Sequence, residues 1–310
     1  MTMSLDQSNL TPNFKSGFVT LLGKPNVGKS TLLNRLVGQH ISITADKPQT
    51  TRNRIRGIIT DDSFQAVILD TPGVHLPRTE LHRRIVSYAV QSIRDSDLVF
   101  FLTEPLSKGQ QSVSKADLLV LEHLSSSSAN AVLVINKIDL SRNEEILRTI
   151  ALLNETHQFT ETVPVSALKG NGVDILKGFF PKYLPDGIPY FPKDQMTDTP
   201  EREIVGELVR EQIMRHSFQE IPYGVAVFVD AFKEEEKLIR IFSTIHVEKA
   251  SHKKIIIGKG GAMLKRVGQN ARIKIERLLA KKVYLSLHVK VAKNWVNNPR
   301  RLTEFGYDKS

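Results

Sequence analysis

Residues 23–30 read Gly23-Lys24-Pro25-Asn26-Val27-Gly28-Lys29-Ser30, which is G-x-x-x-x-G-K-S. The flanks decide how this stretch folds. Phe18-Val19-Thr20-Leu21-Leu22 before it is a short apolar run with the look of a strand, and Thr31 to Val37 after it has helical spacing and Gly38 to stop on. Strand, glycine-rich turn, helix is the context that separates a phosphate-binding loop from a chance match. Gly23 and Gly28 let successive backbone N–H groups turn inward, and the helix N-terminus adds partial positive charge. Lys29 can then reach β- and γ-phosphates, and the Ser30 hydroxyl can ligate Mg²⁺.

Working outward, residues 17–180 alternate strand-like and helix-like segments. Apolar runs at Ile55–Thr60, Ser63–Leu69, Asp97–Leu102, Ala131–Ile135 and Thr162–Val165 are separated by helix-length stretches near 81–94, 110–124 and 143–158. That alternation predicts an α/β domain, a mostly parallel sheet covered by helices, with ligands beyond the carboxyl ends of its strands. Two motifs fall at such ends. Asp70-Thr71-Pro72-Gly73 follows the run ending at Leu69; its carboxylate can serve the Mg²⁺ shell and the Gly73 N–H a γ-phosphate. Asn136-Lys137-Ile138-Asp139 follows Ile135. The Asp139 carboxylate can accept from guanine N1–H and N2–H₂, donors that adenine does not offer there. Lys137 can lay its stem on the base, Asn136 can tie the base loop to the phosphate loop, and Ser166-Ala167-Leu168 can offer a backbone N–H to guanine O6.

In this order, G-x-x-x-x-G-K-S, a threonine, D-T-P-G, N-K-I-D and S-A-L resemble the signature segments of translation-factor-class P-loop GTPases. The resemblance implies GTP/GDP binding and GTP hydrolysis with Mg²⁺ held by Ser30, Asp70 and a threonine. That threonine is carried onto Thr51, with Thr50 as the alternative because the pair is tandem. Residues 23–31, 70–74, 136, 137, 139 and 166–168 would contact nucleotide, and Lys29, Thr51, Gly73 and Asn26 would act in catalysis. One position departs from the Ras-like pattern. Val74 stands where a glutamine would orient the attacking water, so hydrolysis should be slow or use another device. Asn26 suggests one, because GTPases with asparagine there use it to help hold K⁺ beside the phosphates. His75, a lone loop histidine, reads as solvent-facing rather than as a base.

The chain has 310 residues, 40% hydrophobic and 25% charged, which suggests about two domains with ordinary cores. It has no cysteine, so disulfides, thiolate catalysis and cysteine-ligated zinc are excluded. Residues 1–16 read as a polar, flexible N-terminus without an apolar signal region, and no apolar run is long enough to span a bilayer. The expectation is a soluble intracellular protein. The net charge of +10 is unevenly placed: Lys249 to Arg301 holds 15 basic residues against the single acid Glu276. Such a stretch is an electrostatic footprint for a polyanion, nucleic acid or an anionic membrane surface.

Residues 181–200, with Pro181, Pro185, Pro189, Pro192 and Pro200, read as an extended interdomain linker whose aromatics pack it against a domain. Residues 201–298 then read α-β-β-α-α-β, opening on an amphipathic helix at 201–218 with Ile204, Leu208, Ile213 and Met214 on one side; residues 299–310 read as a tail. Gly258-Lys259-Gly260-Gly261 between two short helices is a G-x-x-G loop, able to bring backbone close to a nucleic-acid backbone. With Lys253, Lys254, Lys265, Arg266 and Arg272 around it, it resembles a type II KH domain, which clamps about four single-stranded nucleotides. A GTPase domain followed by such a KH domain resembles a known family of bacterial GTPases. That resemblance implies a cytoplasmic protein, in part peripheral to the inner membrane, that binds the 3′ region of small-subunit rRNA and acts in 30S subunit assembly. DNA is not among the expected partners. Two other readings stay open at this point: an RNA-binding protein whose nucleotide is structural, and a GTPase whose basic domain reads anionic lipid.

Overall fold

The computed structural model describes residues 13–44, 55–74, 79–107, 109–110, 112–217, 224–305 and 307. Thr50, Thr51 and His75 lie outside them. The chain divides into two compact units, one from residues within 1–41, 51–76 and 86–198, the other from residues within 42–50, 77–85 and 199–310.

The first unit is a six-stranded sheet. In chain order its elements are β1 (Lys15–Leu22), α1 (Lys29–Val37), β2 (Ile55–Thr60), β3 (Phe64–Asp70), α2 (Glu80–Arg94, of which the residues up to Ile85 fall in the second unit), β4 (Leu98–Thr103), α3 (Lys115–Ser125), β5 (Asn130–Ile135), α4 (Asn143–Thr156), β6 (Glu161–Pro164), α5 (Val173–Lys177) and α6 (Phe180–Tyr183). The strand order is β2-β3-β1-β4-β5-β6, parallel except for β2 against β3. The apolar runs have no polar alternation because both faces are covered. Along β4, Leu98, Phe100 and Leu102 point to a core shared with Leu32, Leu36, Leu176 and Phe180. Val99 and Phe101 point the other way, to Ala89, Ile93, Leu121 and Leu153.

The proline-rich stretch read as an extended linker begins inside α6 and belongs to this unit as far as Asp198, and past α6 it is pinned along the unit. Gln65 donates to Phe191 O at 2.8 Å and accepts from Tyr190 N at 2.6 Å, and Ile58 N donates to Met196 O at 2.8 Å. Phe180 is fully buried, and Tyr190 lies 5.2 Å from Phe18, ring to ring.

The second unit contains α7 (Glu201–His216), β7 (Val225–Glu234), β8 (Ile239–Val247), α8 (Ala250–Ile257), α9 (Ala262–Leu279), β9 (Val283–Val291) and α10 (Pro299–Glu304). Its sheet runs β7-β8-β9, with β8 antiparallel to β7 and parallel to β9, which leaves β9 at an edge. Two expectations change here. Helix α7 is not amphipathic: every residue from Ile204 to Met214 except Glu207 is buried, Arg210 and Glu211 included. Those charges are tolerated because they are paired. Arg210 meets Glu207 at 2.6 Å, and Glu211 meets Lys274 at 2.6 Å and Arg215 at 2.9 Å. The stretch read as a tail begins with a folded helix, capped by the Asn298 side chain, and Leu302, Phe305 and Tyr307 are buried around Trp295. The polar sequence Pro299-Arg300-Arg301 conceals this, since only one apolar residue of α10 faces inward.

Candidate functional site

The phosphate loop leaves β1 at Leu22 and enters α1 at Lys29, with Gly28 as the helix N-cap in the left-handed region. Three loop residues have positive φ: Gly23, Asn26 and Gly28. At Gly28 the glycine is obligatory, because a Cβ there would collide with the Asn136 side-chain amide. Lys29 is buried, and its ammonium turns back on the loop, donating to Gly23 O at 3.0 Å and Lys24 O at 2.9 Å. Burial lowers its pKa to about 8, with Asp70 and then Asp117 pulling the other way.

Ser30 lies one residue into α1 and Asp70 at the end of β3, and the Ser30 hydroxyl donates to Asp70 Oδ2 at 2.7 Å. Two of the three residues taken for Mg²⁺ are therefore together; the threonine lies outside the described residues. Thr71 donates to Leu21 O at 2.6 Å and Val74 N to Gly23 O at 3.1 Å, tying the D-T-P-G turn to the base of the phosphate loop. A Cβ on Gly73 would come within 2.6 Å of Pro25 backbone atoms, so only glycine allows these two loops to touch. The Val74 side chain is 1% exposed, packed among Leu22, Ala89 and Phe101, and so does not face the phosphate site at all.

The base side is organised by Asn136. Its Nδ2 donates to Val27 O at 2.7 Å, and its Oδ1 accepts from Ala167 N at 2.9 Å. One buried side chain thus joins the phosphate loop, the N-K-I-D turn and the S-A-L turn. Asp139 is held ionised below the usual carboxylate range, chiefly by a bond to the Ser166 hydroxyl. Lys137 sits in the left-handed region with its ammonium 2.9 Å from Glu104 Oε2. Arg35 of α1 donates to Ala167 O and Leu168 O, and Leu168 is exposed.

Glu104 and Asp117 escaped the sequence reading. Glu104 also lies 3.5 Å from Lys24, whose ammonium reaches the buried Asp117 at 3.4 Å. The signal was present for Glu104, the residue just beyond β4, in the same relation to its strand as the turn residues are to theirs.

In the second unit, Gly258, Gly260 and Gly261 all have positive φ, so the G-x-x-G turn presents bare backbone between α8 and α9. A Cβ on Gly258 would strike Met263, while Gly260 and Gly261 have nothing within 4 Å. Beside the turn runs a cleft of about 550 Å³, walled by Gly261, Leu264, Gly268 and Arg272 on one side and Tyr284, Leu285 and Leu287 on the other. Lys265 and Arg272 line it and are exposed; Lys254, Lys259 and Arg266, which flank or form the turn in the sequence, are exposed too, and Lys253 is half-buried. No helix among the described residues is long and apolar enough to cross a membrane.

Strand order, the loops at the strand ends and the G-x-x-G turn together make the first unit the domain of a P-loop GTPase and the second a KH domain. Comparison with known proteins agrees. A family model described as 50S ribosome-binding GTPase matches residues 18–137, and the KH domain model matches residues 220–296. GTPase Era of Geotalea uraniireducens is 49% identical over 95% of this chain and 98% of its own length. That of Syntrophus aciditrophicus is 47% identical over 96% of each. Among solved structures, a point variant of Aquifex aeolicus Era bound to GDP·AlF₄⁻ superposes with a TM-score of 0.90 at 37% identity, covering 95% of this chain and all of that one. Era in complex with MgGDPNP and nucleotides 1506–1542 of 16S ribosomal RNA gives 0.89 at 37%, covering 95% and 99%. The chain belongs to the GTPase Era family and is a GTP-hydrolysing enzyme.

Proposed function

We propose that this chain is a GTP-driven switch that binds the 3′ region of small-subunit rRNA through its KH cleft and acts in assembly of the 30S subunit. The observation that carries the reading is the presence, in one chain, of a phosphate loop joined by Asn136 to the N-K-I-D and S-A-L turns and of an open G-x-x-G cleft lined by the exposed Lys265 and Arg272. The Era structure with nucleotides 1506–1542 of 16S rRNA supports the choice of RNA.

In the nucleotide pocket, backbone N–H groups of residues 23–31, Pro25 excepted because it has none, and the Lys29 ammonium bind the β- and γ-phosphates. Asp139 and a backbone N–H of the Ser166-Ala167-Leu168 turn read guanine, with Asn136 and Lys137 holding the base loop. Ser30, Asp70 and the switch threonine (Thr51, with Thr50 as the alternative) are the residues for Mg²⁺. A hydroxyl and a strand-end carboxylate at 2.7 Å fit that ion, which prefers few protein oxygens plus water and phosphate. The ion supplies neutralisation of charge on the transferring phosphoryl group. Gly73 N–H meets the γ-phosphate, and the 70–74 turn together with Thr50-Thr51 orders around it, which alters the RNA-binding unit.

Val74 is buried away from the site, so no side chain at that position orients water, and intrinsic hydrolysis is slow. We assign part of the compensating positive charge to K⁺ held with Asn26. Turnover should be several-fold faster in potassium than in sodium buffer; equal rates would refute that assignment. Localisation follows as cytoplasmic, with peripheral contact to the inner membrane through the basic second unit, to be checked by co-sedimentation with anionic vesicles.

The test is binding of 16S rRNA nucleotides 1506–1542 at fixed salt by wild type and Gly260→Asp, with GTP analogue, GDP or no nucleotide. Gly260 has room for a side chain and aspartate is among the residues that tolerate its left-handed backbone, so the variant should fold, at a modest cost in strain, while placing a negative charge in the clamp. Binding that needs the loop and strengthens with GTP analogue supports the reading. Binding indifferent to both would overturn it.

A further inference from the structure

One nucleotide reaches both the phosphate loop and the base loop, so the two have to keep a fixed separation. The buried amide of Asn136 is a neutral tie between them. A second tie is ionic. Glu104 directly follows Thr103, the last residue of β4. Its Oε2 takes the Lys137 ammonium of the N-K-I-D turn at 2.9 Å, and its Oε1 lies 3.5 Å from the Lys24 ammonium of the phosphate loop. Lys24 in turn reaches Asp117 of α3 at 3.4 Å, and the Ser114 hydroxyl at the head of that helix donates to the same carboxylate at 2.7 Å. Asp117, Lys24, Glu104 and Lys137 therefore form a row of alternating charge.

The row constrains Lys137 more than Lys24. Lys24 has two carboxylates and keeps one if Glu104 is lost, whereas the ion pair of Lys137 among the described residues is with Glu104. The Lys137 backbone is also in the left-handed region, at φ 66, a conformation that costs a lysine free energy and persists where its surroundings over-determine it. Backbone and ammonium are thus both fixed. The four-carbon stem between them runs from the base loop toward the phosphate loop, because Glu104 meets Lys24 there.

Folding stability does not account for this arrangement. The side chains of Lys137 and Glu104 are 35% and 37% exposed, and an ion pair so wet contributes little to the fold. What the pair does remove is rotamer freedom, of which lysine has more than most residues. Order present before a ligand arrives is order that binding does not have to impose.

We propose that Glu104 is a positioning residue for guanine nucleotides, holding the Lys137 stem stretched before binding as a wall for the face of the base. The proposal rests on the assignment of Asp139 to the guanine edge and adds a residue outside the N-K-I-D and S-A-L segments. Glu104 acts through Lys137. An apolar stem packs on any purine, so Glu104 sets affinity, while Asp139 sets the choice of base.

The experiment titrates GDP and inosine diphosphate, which lacks the N2 amino group, against full-length wild type, Glu104→Gln, Lys137→Met, the two combined, and Asp139→Ala. Glutamine keeps the shape of Glu104 without its charge, and methionine keeps an apolar stem without the ammonium. Both positions are more than a third exposed, so the variants should melt close to wild type. Each single change should weaken both nucleotides alike by about fivefold, the cost of ordering one long side chain on binding. The double variant should lose no more than either single one, because both remove the same tie. KM for GTP should rise by the same factor, while the single-turnover rate of the saturated complex holds. GDP affinity of Glu104→Gln within twofold of wild type would overturn the proposal, as would losses that multiply in the double variant or a changed ratio of GDP to inosine diphosphate affinity. Asp139→Ala tests the reading beneath it. That variant should erase the preference for GDP over inosine diphosphate; if the preference survives, it is the assignment of Asp139 that has failed.

Discussion

Replacing Asn136 by alanine tests whether one side chain holds the nucleotide pocket together. In the wild type its amide satisfies two buried backbone groups, Val27 O at 2.7 Å and Ala167 N at 2.9 Å. Truncation orphans both, at about 1–3 kcal/mol each if they stay dry, or about 2–6 kcal/mol together. A water can enter the space left by the amide and recover part of this, which sets the expectation at the lower end. In the nucleotide-free protein the loops can shift to meet solvent. Nucleotide binding forces them back, so the cost falls on affinity more than on folding. A loss of about 2 kcal/mol corresponds to roughly 30-fold in Kd. Stopped-flow release of a fluorescent GDP should report it chiefly as a faster off-rate, with a fall of a few degrees in the melting temperature of free protein. Asn136→Asp sharpens the test: it keeps an acceptor for Ala167 N but sets a carboxylate oxygen against Val27 O, and should bind no better than the alanine variant. GDP affinity of either variant within twofold of wild type would refute the reasoning.

Other perturbations have equally direct expectations. With its pKa lowered to about 8, Lys29 binds fewer protons in the native than in the unfolded chain between about pH 8 and 10.5, so its contribution to stability rises with pH there. Below that window the burial penalty, about 3 kcal/mol at 1.36 kcal/mol per pH unit, is present in full. Lys29→Met should therefore raise the nucleotide-free melting temperature at pH 7, lose that pH-dependent increment and bind no nucleotide; an unchanged melting temperature at pH 7 counts against the account. Gly258→Ala combines a glycine-only backbone at φ 75 and ψ 172 with a Cβ 2.7 Å from Met263 Cβ, whereas Gly260→Ala meets only the left-handed penalty of about 1–2 kcal/mol. Urea melts should rank Gly258→Ala well below Gly260→Ala. Glu211→Gln removes the buried carboxylate but leaves Lys274 and Arg215, 27% and 47% exposed, able to reach water, so it should cost only about 1–2 kcal/mol, read as a lower urea midpoint; a loss above about 3 kcal/mol would show that these cations cannot hydrate.

The nucleotide site was legible because each of its parts is short, local and placed by a strand end. Gly23 to Ser30, Asp70 to Gly73 and Asn136 to Asp139 each follow a strand whose neighbours in the sheet bring the loops together, so order along the chain predicts proximity. Even the Asn136 bridge could be anticipated from residue type. Its consequence for Gly28 could not, since that glycine's necessity comes from a side chain 108 residues later that occupies its Cβ position. Glu104 and Asp117 were missed for a related reason: a lone carboxylate has no motif, and only folding sets both against Lys24.

Helix α7 shows the opposite limit. Charges at Arg210 and Glu211 mark a solvated face when a helix is read alone, and its apolar residues were assigned to one side accordingly. Lys274, 63 residues away on α9, reverses that by giving Glu211 a partner, while Glu207 gives one to Arg210. Once paired, these side chains no longer require water, and the helix can be buried on nearly every face. A sequence pattern reports what each residue would prefer by itself; burial of a charge depends on a partner that another element supplies.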